Sequence, residues 1–520
     1  MFALRPSRPR SNSAAAIAAY RSASSSNVGV GGRSRPLNGV RVVDMTRVAA
    51  GPYCSMILAD MGADVIKIER PGTGDDSRSF GPPFVDVRGP SNDDRLSLYF
   101  VALNRNKRSV CVDFRRPEGR RIVRELAGRS HVLVENYVPG TLDRHGIGYD
   151  DLREINEKLV YCSITGYGSK GPWKQKPGYD VIAASIGGLM NATGDETPSK
   201  VAVPVTDLMT GMYAHGAILA ALYRGIGEKI DCDLLSTQLS MMINLGSNYL
   251  NAGMHTKRWG TEHESLVPYK AFKTSNGFLT LGTGNDVQFR SFCDRISIPE
   301  LAADEKYATN ACRVKNRELL YKVIEPILKT KTNEEWMTIF EGVPFPCGPV
   351  NDMAQAFSNE HVKEIGIVQD FDCSYNKKLK MVGPAVTFKN SGNEILREPP
   401  LLGQHTDEVL TSLGYSTEYI ESLRSKNEVK PLSTFDLKCL RFGGDRVVVH
   451  RLCGDTTRGD LIVFQHSSPP KFESEIPRQR VGGNRKFNNN NAFKLMLHLF
   501  MRYSIWVAIL KSKVDSDFIL

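Results

Sequence analysis

Apolar runs alternate with helical periodicities along the first third of the chain. Val40-Arg41-Val42-Val43-Asp44-Met45 reads as a strand. Gly51-Pro52 opens a helix that runs through Leu58 and Met61, and Gly62 closes it. Residues 63–69 give a second strand, stopped by Pro71. Residues 109–114 read as a strand, 117–129 as a helix, and 131–135 and 159–165 as two more strands. Strands alternating with helices predict an α/β protein with a parallel, Rossmann-like sheet. No Gly-x-Gly-x-x-Gly follows the first strand, so a dinucleotide site is unsupported.

Beyond these elements the pattern loosens. Residues 72–95, rich in Gly, Pro and Asp, read as a long loop. A Gly-rich stretch, Gly166 to Gly188, leads to Pro204-Val205-Thr206-Asp207 and then to a helix over 208–224. In that helix Gly211, Ala214, Gly216, Ala217, Ala220 and Ala221 allow close backbone packing. Asp207 stands at its start, where unpaired N–H groups and partial positive charge favour an ionised carboxylate. That position suits a nucleophile; the plainer role is a helix cap. Residues 253–269 read as a crossover, 278–282 as a strand, and helices follow to about residue 341. A Pro-rich breaker at 344–349 precedes a mixed segment that ends in a helical turn at Ile420-Glu421-Ser422-Leu423.

Charge changes the picture only at the ends. The net charge of +10 looks like a nucleic-acid signal. Residues 1–36, however, hold six Arg, no Lys and no acid, and residues 430–520 hold fifteen Lys+Arg against eight Asp+Glu. The body between them is slightly acidic, with no broad basic footprint. The Arg-rich, Ser-rich, acid-free start reads as a mitochondrial transit peptide and places the protein in the mitochondrial matrix. Nothing in 37–429 is apolar for long enough to span a membrane. Ten scattered Cys include no Cys-x-x-Cys pair and no zinc spacing, so they read as mostly buried, reduced thiols, with no metal site.

Several ordered motifs resemble class III CoA-transferases of the CaiB/BaiF type, a family that also contains 2-methylacyl-CoA racemases. They include Arg47-Val48-Ala49-Ala50-Gly51-Pro52, Gly62-Ala63-Asp64-Val65-Ile66-Lys67-Ile68-Glu69-Arg70-Pro71, Asn104-Arg105-Asn106-Lys107-Arg108-Ser109 and Glu135-Asn136-Tyr137-Val138-Pro139-Gly140. The Gly166–Asp207 region, Gly284-Asn285-Asp286, Gly348-Pro349-Val350-Asn351 and Gly403-Gln404-His405-Thr406 complete the series. The resemblance implies a large Rossmann-like domain built from N- and C-terminal segments, a smaller α+β domain, and an interlocked, ring-like homodimer. On that basis residues 37–255 form the first part of the large domain, 256–350 the small domain and 351–429 the return segment. Residues 430–520 are left as an atypical, disordered extension.

The resemblance also implies chemistry. Asp207 matches the catalytic aspartate, which attacks a donor thioester and passes through an aspartyl-CoA thioester. Ala49, Ala50, Arg70, Val112, Asp113, Phe114, Arg115, Asn136, Tyr137, Arg144 and Lys176 match CoA contacts; Gly282, Thr283, Gly284 and Asn285 match a loop over the reacting carboxylate. The expected activity is CoA transfer from succinyl-CoA to a dicarboxylate such as glutarate or 3-hydroxymethylglutarate. CoA thioesters are its substrates, and no cofactor is bound permanently. No nucleic-acid or membrane partner is expected. Tyr179 stands where racemases carry a His and reads as pocket packing. A phenol of pKa about 10 is a poor second base for α-proton exchange. A racemase and a catalytically silent CoA-binding protein are the alternatives.

Overall fold

The computed structural model of the protein describes residues 34–87, 95–375, 378–426 and 429, with the backbone of four strands between 439 and 509. The segment expected to be a transit peptide lies outside the described residues, apart from its last three positions.

Two units are distinct, Met1–Leu432 and Ser433–Leu520. The first is organised by six parallel strands: β1 (Arg41–Asp44), β2 (Asp64–Glu69), β3 (Lys107–Cys111), β4 (Val132–Glu135), β5 (Val160–Thr165) and β6 (Glu228–Asp233). Their order is β3-β2-β1-β4-β5-β6. This is the doubly wound order, which reverses direction between β1 and β4.

Alternate residues of these strands face two separate cores. Val43, Ile66, Ile68, Leu133 and Tyr161 pack with Ile122, Val123 and Leu126 of helix α2 (Pro117–Gly128). The same cluster takes in Val409, Leu410, Ile420 and Leu423 from two late helices, Thr406–Leu413 and Thr417–Ser425. Val42, Val65, Val132, Val134 and Cys162 face Cys54 and Leu58 of helix α1 (Ala50–Asp60), and Ala214, Ile218 and Ala221 of Val205–Arg224. Burial on both faces explains why these strands read as near-continuous apolar runs.

Edge strand β3 is covered by the return segment. The Ser109 N–H faces His405 Nδ1 at 3.2 Å, Thr406 Oγ1 accepts the Cys111 N–H at 3.1 Å, and the Gly403 N–H donates to Ser109 Oγ at 2.8 Å. The motif around His405 thus closes a sheet edge. The Asn104–Ser109 motif ties the same region together. Arg105 pairs with buried Asp60 at 2.6 Å, and the Asn106 side chain accepts from the Leu396 and Arg397 N–H groups.

A second, antiparallel sheet holds Tyr269–Lys273, Phe278–Gly282 and Cys347–Pro349, with its own core around Phe272, Phe289, Phe292 and Trp336. Three departures from the sequence pattern stand out. The expected breaker at 344–349 contributes a strand. The loop at 72–95 contains a 3-10 turn, Asp76–Ser79, and a short hairpin of Phe84–Asp86 with Arg95–Ser97. β3 begins two residues earlier than its apolar run, because Lys107 is buried by an ion pair. Of the ten cysteines, Cys54, Cys111, Cys162 and Cys293 are buried free thiols, and Cys232, Cys312, Cys347 and Cys373 are partly buried free thiols. Among the described residues no helix is long and apolar enough to cross a membrane, and no group of residues has metal-binding geometry.

In the unit Ser433–Leu520, Cys439–Phe442, Asp445–Leu452, Leu461–His466 and Trp506–Ile509 pair antiparallel in that order.

Candidate active site

The turn leaving β1 is built by buried charge. Asp44 Oδ1 accepts the Thr46 N–H at 2.9 Å, and its Oδ2 accepts from Ser55 Oγ at 2.6 Å and Lys107 Nζ at 3.0 Å. Burial alone would raise the Asp44 pKa; the charges of Lys107 and Lys67 instead hold it down at about 2. Lys67 Nζ donates to the Thr46 carbonyl at 2.8 Å and pairs with Asp75 at 2.9 Å, both side chains being fully buried. Burial opposes the charge on Lys67, but Asp75 and Asp44 outweigh it and raise its pKa.

This network holds a strained backbone. Val48 has φ +71°, unusual for a β-branched residue. Its N–H donates to Asp75 Oδ1 at 3.0 Å. Just past the end of β4, Asn136 clamps Arg47: its Oδ1 accepts the Arg47 N–H at 3.0 Å and its Nδ2 donates to the Arg47 carbonyl at 2.8 Å. Asn136 thereby acts on the turn's main chain. Ala49 and Ala50 follow at the start of α1, which has no side-chain cap.

A cavity of about 290 Å³ lies beside this turn, at the carboxyl ends of β1, β4 and β5. Ligands of doubly wound sheets bind at such a reversal point. Arg47, Val48, Ala49 and Ala50 form one wall, Asn136 and Tyr137 a second, and Lys176, Tyr179 and Asp207 the opposite side. A neighbouring cavity of about 230 Å³ shares Arg47, Tyr137 and Thr141 with it and adds Arg70, Val112, Asp113, Phe114 and Arg115. Arg115 forms a two-point pair with Asp113, Nε–Oδ1 and Nη2–Oδ2 both at 2.8 Å. That hydrogen bonding lowers the Asp113 pKa.

Asp207 enters the first cavity from helix α4 (Val205–Arg224), which follows helix α3 (Asp180–Ile186) in the chain. α4 starts three residues earlier than the small-residue pattern predicts, so Asp207 lies inside its first turn. The expected small-residue packing occurs: a Cβ on Gly211 would lie 2.6 Å from the Ala50 carbonyl oxygen of α1. Glycine at both Gly166 and Gly178 lets their backbones cross, since a Cβ on Gly166 would lie 2.7 Å from the Gly178 Cα. That crossing closes the loop carrying Lys176 and Tyr179 against β5.

The electrostatics of Asp207 differ from expectation. Asp180 Oδ1 accepts the N–H groups of Thr206 at 2.8 Å and Asp207 at 3.2 Å, so the helix start serves Asp180. Among the described residues the Asp207 carboxylate accepts no hydrogen bond. Burial, and after it the Asp180 charge, pushes Asp207 up to about 7. A simple ionised carboxylate is therefore corrected to one poised near neutrality. Asp180 could not be tied to Asp207 from the sequence, because no local spacing joins residue 180 to residue 207. Tyr99 was also missed; burial first, then Asp207, Asp180 and Asp75, raise its pKa and keep the phenol protonated.

Tyr179 lines the cavity and is 65% exposed. Arg144 lines neither cavity, although its neighbours Thr141 and His145 line the second. Gly282 ends a strand of the small sheet, buried Thr283 donates to the Pro268 carbonyl, and Asn285 caps helix Asp286–Arg295. This loop lines neither cavity.

Comparison with known proteins agrees with this arrangement. A profile for "CoA-transferase family III" matches residues 37–406. The chain is 46% identical over 396 residues to mouse "Succinyl-CoA:glutarate CoA-transferase", covering 75% of this chain and 89% of that one. It is 38% identical over 387 residues to "Succinate--glutarate CoA-transferase" of Agrobacterium fabrum, covering 73% and 96%. A crystal structure of a CaiB/BaiF family protein from Brucella suis superposes with a TM-score of 0.65 at 37% identity, over 73% of this chain and 99% of that one. A doubly wound sheet with paired cavities at its reversal point, and matches along most of residues 37–406, lead to one assignment: the chain belongs to CoA-transferase family III and is an enzyme that transfers CoA.

Proposed function

We propose that the protein transfers CoA from succinyl-CoA to a dicarboxylate such as glutarate or 3-hydroxymethylglutarate, with Asp207 as the covalent relay. The observation that carries this reading is a partly buried carboxylate, without a hydrogen-bond partner among the described residues, in a cavity that shares Arg47, Tyr137 and Thr141 with a neighbour lined by Arg70 and Arg115. Glutarate is supported by the activities named for the mouse and Agrobacterium relatives.

Asp207 attacks the succinyl thioester carbonyl and expels CoA thiolate, leaving a mixed anhydride. The thiolate then attacks the Asp207 acyl carbon, forming aspartyl-CoA thioester and releasing succinate. The acceptor carboxylate attacks this thioester, giving a second anhydride and thiolate. Attack of thiolate on the acceptor acyl carbon yields the new CoA thioester and restores Asp207. The second cavity, with Arg70 and Arg115, suits the CoA phosphates, while the helix start at Ala49 and Ala50 admits close backbone approach. Racemisation would need a second base; Tyr179 occupies that place.

Exposed apolar side chains support a homodimer: Val181, Ile182 and Ile186 on α3, Met212, Tyr213 and Tyr223 on α4, and Ile243, Tyr249 and Leu250 on Ile243–Ala252. Patches of this kind mark protein interfaces. The Arg-rich, acid-free residues 1–36 support import into the mitochondrial matrix.

The substrate reading is tested by incubating the protein with succinyl-CoA and a panel of dicarboxylic acids. Glutaryl-CoA or 3-hydroxymethylglutaryl-CoA should dominate the products by mass spectrometry; exclusive use of monocarboxylates would refute it. A pH dependence also follows. The attacking form of Asp207 is the anion, so the single-turnover acylation rate should rise with pH through about 7 and then level off. An ordinary Asp would give a flat profile across that range.

A further inference from the structure

Two carboxylates in succession, Asp75 and Asp76, behave differently. Asp75 is buried and committed to Lys67, the Val48 N–H and Ser77. Asp76 opens the 3-10 turn with its side chain 42% exposed. Its Oδ2 lies 2.8 Å from Arg47 Nη1, and its Oδ1 lies 3.5 Å from Arg70 Nη2. Arg47 lines both cavities, Arg70 the second and Asp76 the first, so the three groups stand where the cavities meet. Both guanidinium groups are under-used. Arg47 Nε is buried without a hydrogen-bond partner, and the other bond of the Arg70 fork goes to Thr73 Oγ1.

Exposed pairs of this kind are weak and rearrange readily. A guanidinium fork fits a two-oxygen anion such as phosphate. A diphosphate brings two negative charges to two arginines that now share one carboxylate. The nearby buried charges do not compete, because Lys67 is paired with Asp75 and Arg78 with Glu69.

Resting on the reading of these cavities as a CoA site, we propose that Asp76 is an internal stand-in for phosphate: it holds Arg47 and Arg70 in the free protein, and the CoA diphosphate displaces it on binding. Asp76 therefore opposes CoA binding and assists CoA release, while keeping the arginines from collapsing elsewhere.

The test is calorimetric titration of the full chain with CoA at low ionic strength. Asp76→Asn should lower the Kd about two- to tenfold, whereas Asp76→Glu should stay near the unaltered protein. The gain should persist with dephospho-CoA, which keeps the diphosphate, and disappear with pantetheine, which has no phosphate. It should also disappear when Arg47 and Arg70 are both replaced by Ala. Equal or weaker CoA binding by Asp76→Asn would overturn the proposal, since Asp76 would then be orienting the arginines for the ligand. A gain that persists with pantetheine, or is lost with dephospho-CoA, would equally overturn it. Failure of the unaltered protein to bind CoA would instead overturn the reading of the site, and this inference with it.

Discussion

Asp207→Asn is expected to lower the rate of CoA transfer by a factor on the order of 10⁴ or more, the scale on which covalent nucleophiles act. Steady-state transfer from succinyl-CoA to glutarate measures it. CoA affinity should change little, because the proposed phosphate contacts come from Arg47, Arg70 and Arg115. The folded state should survive, since among the described residues no hydrogen bond depends on the Asp207 carboxylate. Stability should rise. Asp207 titrates near 7 in the folded protein against an ordinary value of 3.8, so the folded state binds more protons than the unfolded state between those values. Its penalty on stability therefore grows as pH rises through that window and is complete above about 7. Removing the charge should stabilise the protein by roughly 1–3 kcal/mol at pH 8, and hardly at all at pH 4. A thermal scan at the two pH values reads this difference. Loss of activity together with greater alkaline stability would mark Asp207 as a group held against its own ionisation for the sake of reactivity.

The largest loss of stability is expected at Lys67. Lys67→Met would leave Asp75 buried without its cation and remove the donor to the Thr46 carbonyl. Breaking a buried pair from one side costs roughly 3–5 kcal/mol. Denaturant titration should show this as a lower midpoint. Asp75 also holds the strained Val48 turn, so surviving protein should have a raised KM for succinyl-CoA. Adding Asp75→Leu removes the uncompensated charge and should recover much of the stability. It should not recover KM, because the Asp75 replacement also takes away the acceptor of the Val48 N–H. The double variant thus separates the energetic role of the ion pair from its role in shaping the cavity wall.

The parts of the fold most legible in the sequence are those where both faces of a strand are buried. β1, β2, β4 and β5 carry Val, Ile and Leu in runs that no helix period explains. β6 was not legible: Glu228-Lys229-Ile230-Asp231-Cys232-Asp233 is polar because it lies at the sheet edge and is partly exposed. β3 was misplaced by two residues for a different reason. Lys107 and Arg108 look like loop residues until Asp44 and Asp64 are brought to them by the sheet. The Asn104–Ser109 motif marks the family in the sequence, yet its side chains bind Asp60, Asp64 and the return segment rather than line either cavity. For the site, Ala49, Ala50, Asn136, Tyr137, Lys176 and Asp207 converge on one cavity, as their motifs suggest. What the motifs could not convey is how Asp207 is tuned. Its environment depends on burial and on Asp180, whose approach is fixed by tertiary packing.

The proposed transfer turns on a covalent bond at one side chain. Purified protein incubated with succinyl-CoA and treated with borohydride, followed by peptide mass spectrometry, reads that bond directly. Reduction of an aspartyl thioester should convert residue 207, and no other Asp, to homoserine, only when succinyl-CoA is present. An unmodified Asp207 peptide from protein that is actively transferring CoA to glutarate, under conditions that trap acyl thioesters elsewhere, would contradict the relay mechanism.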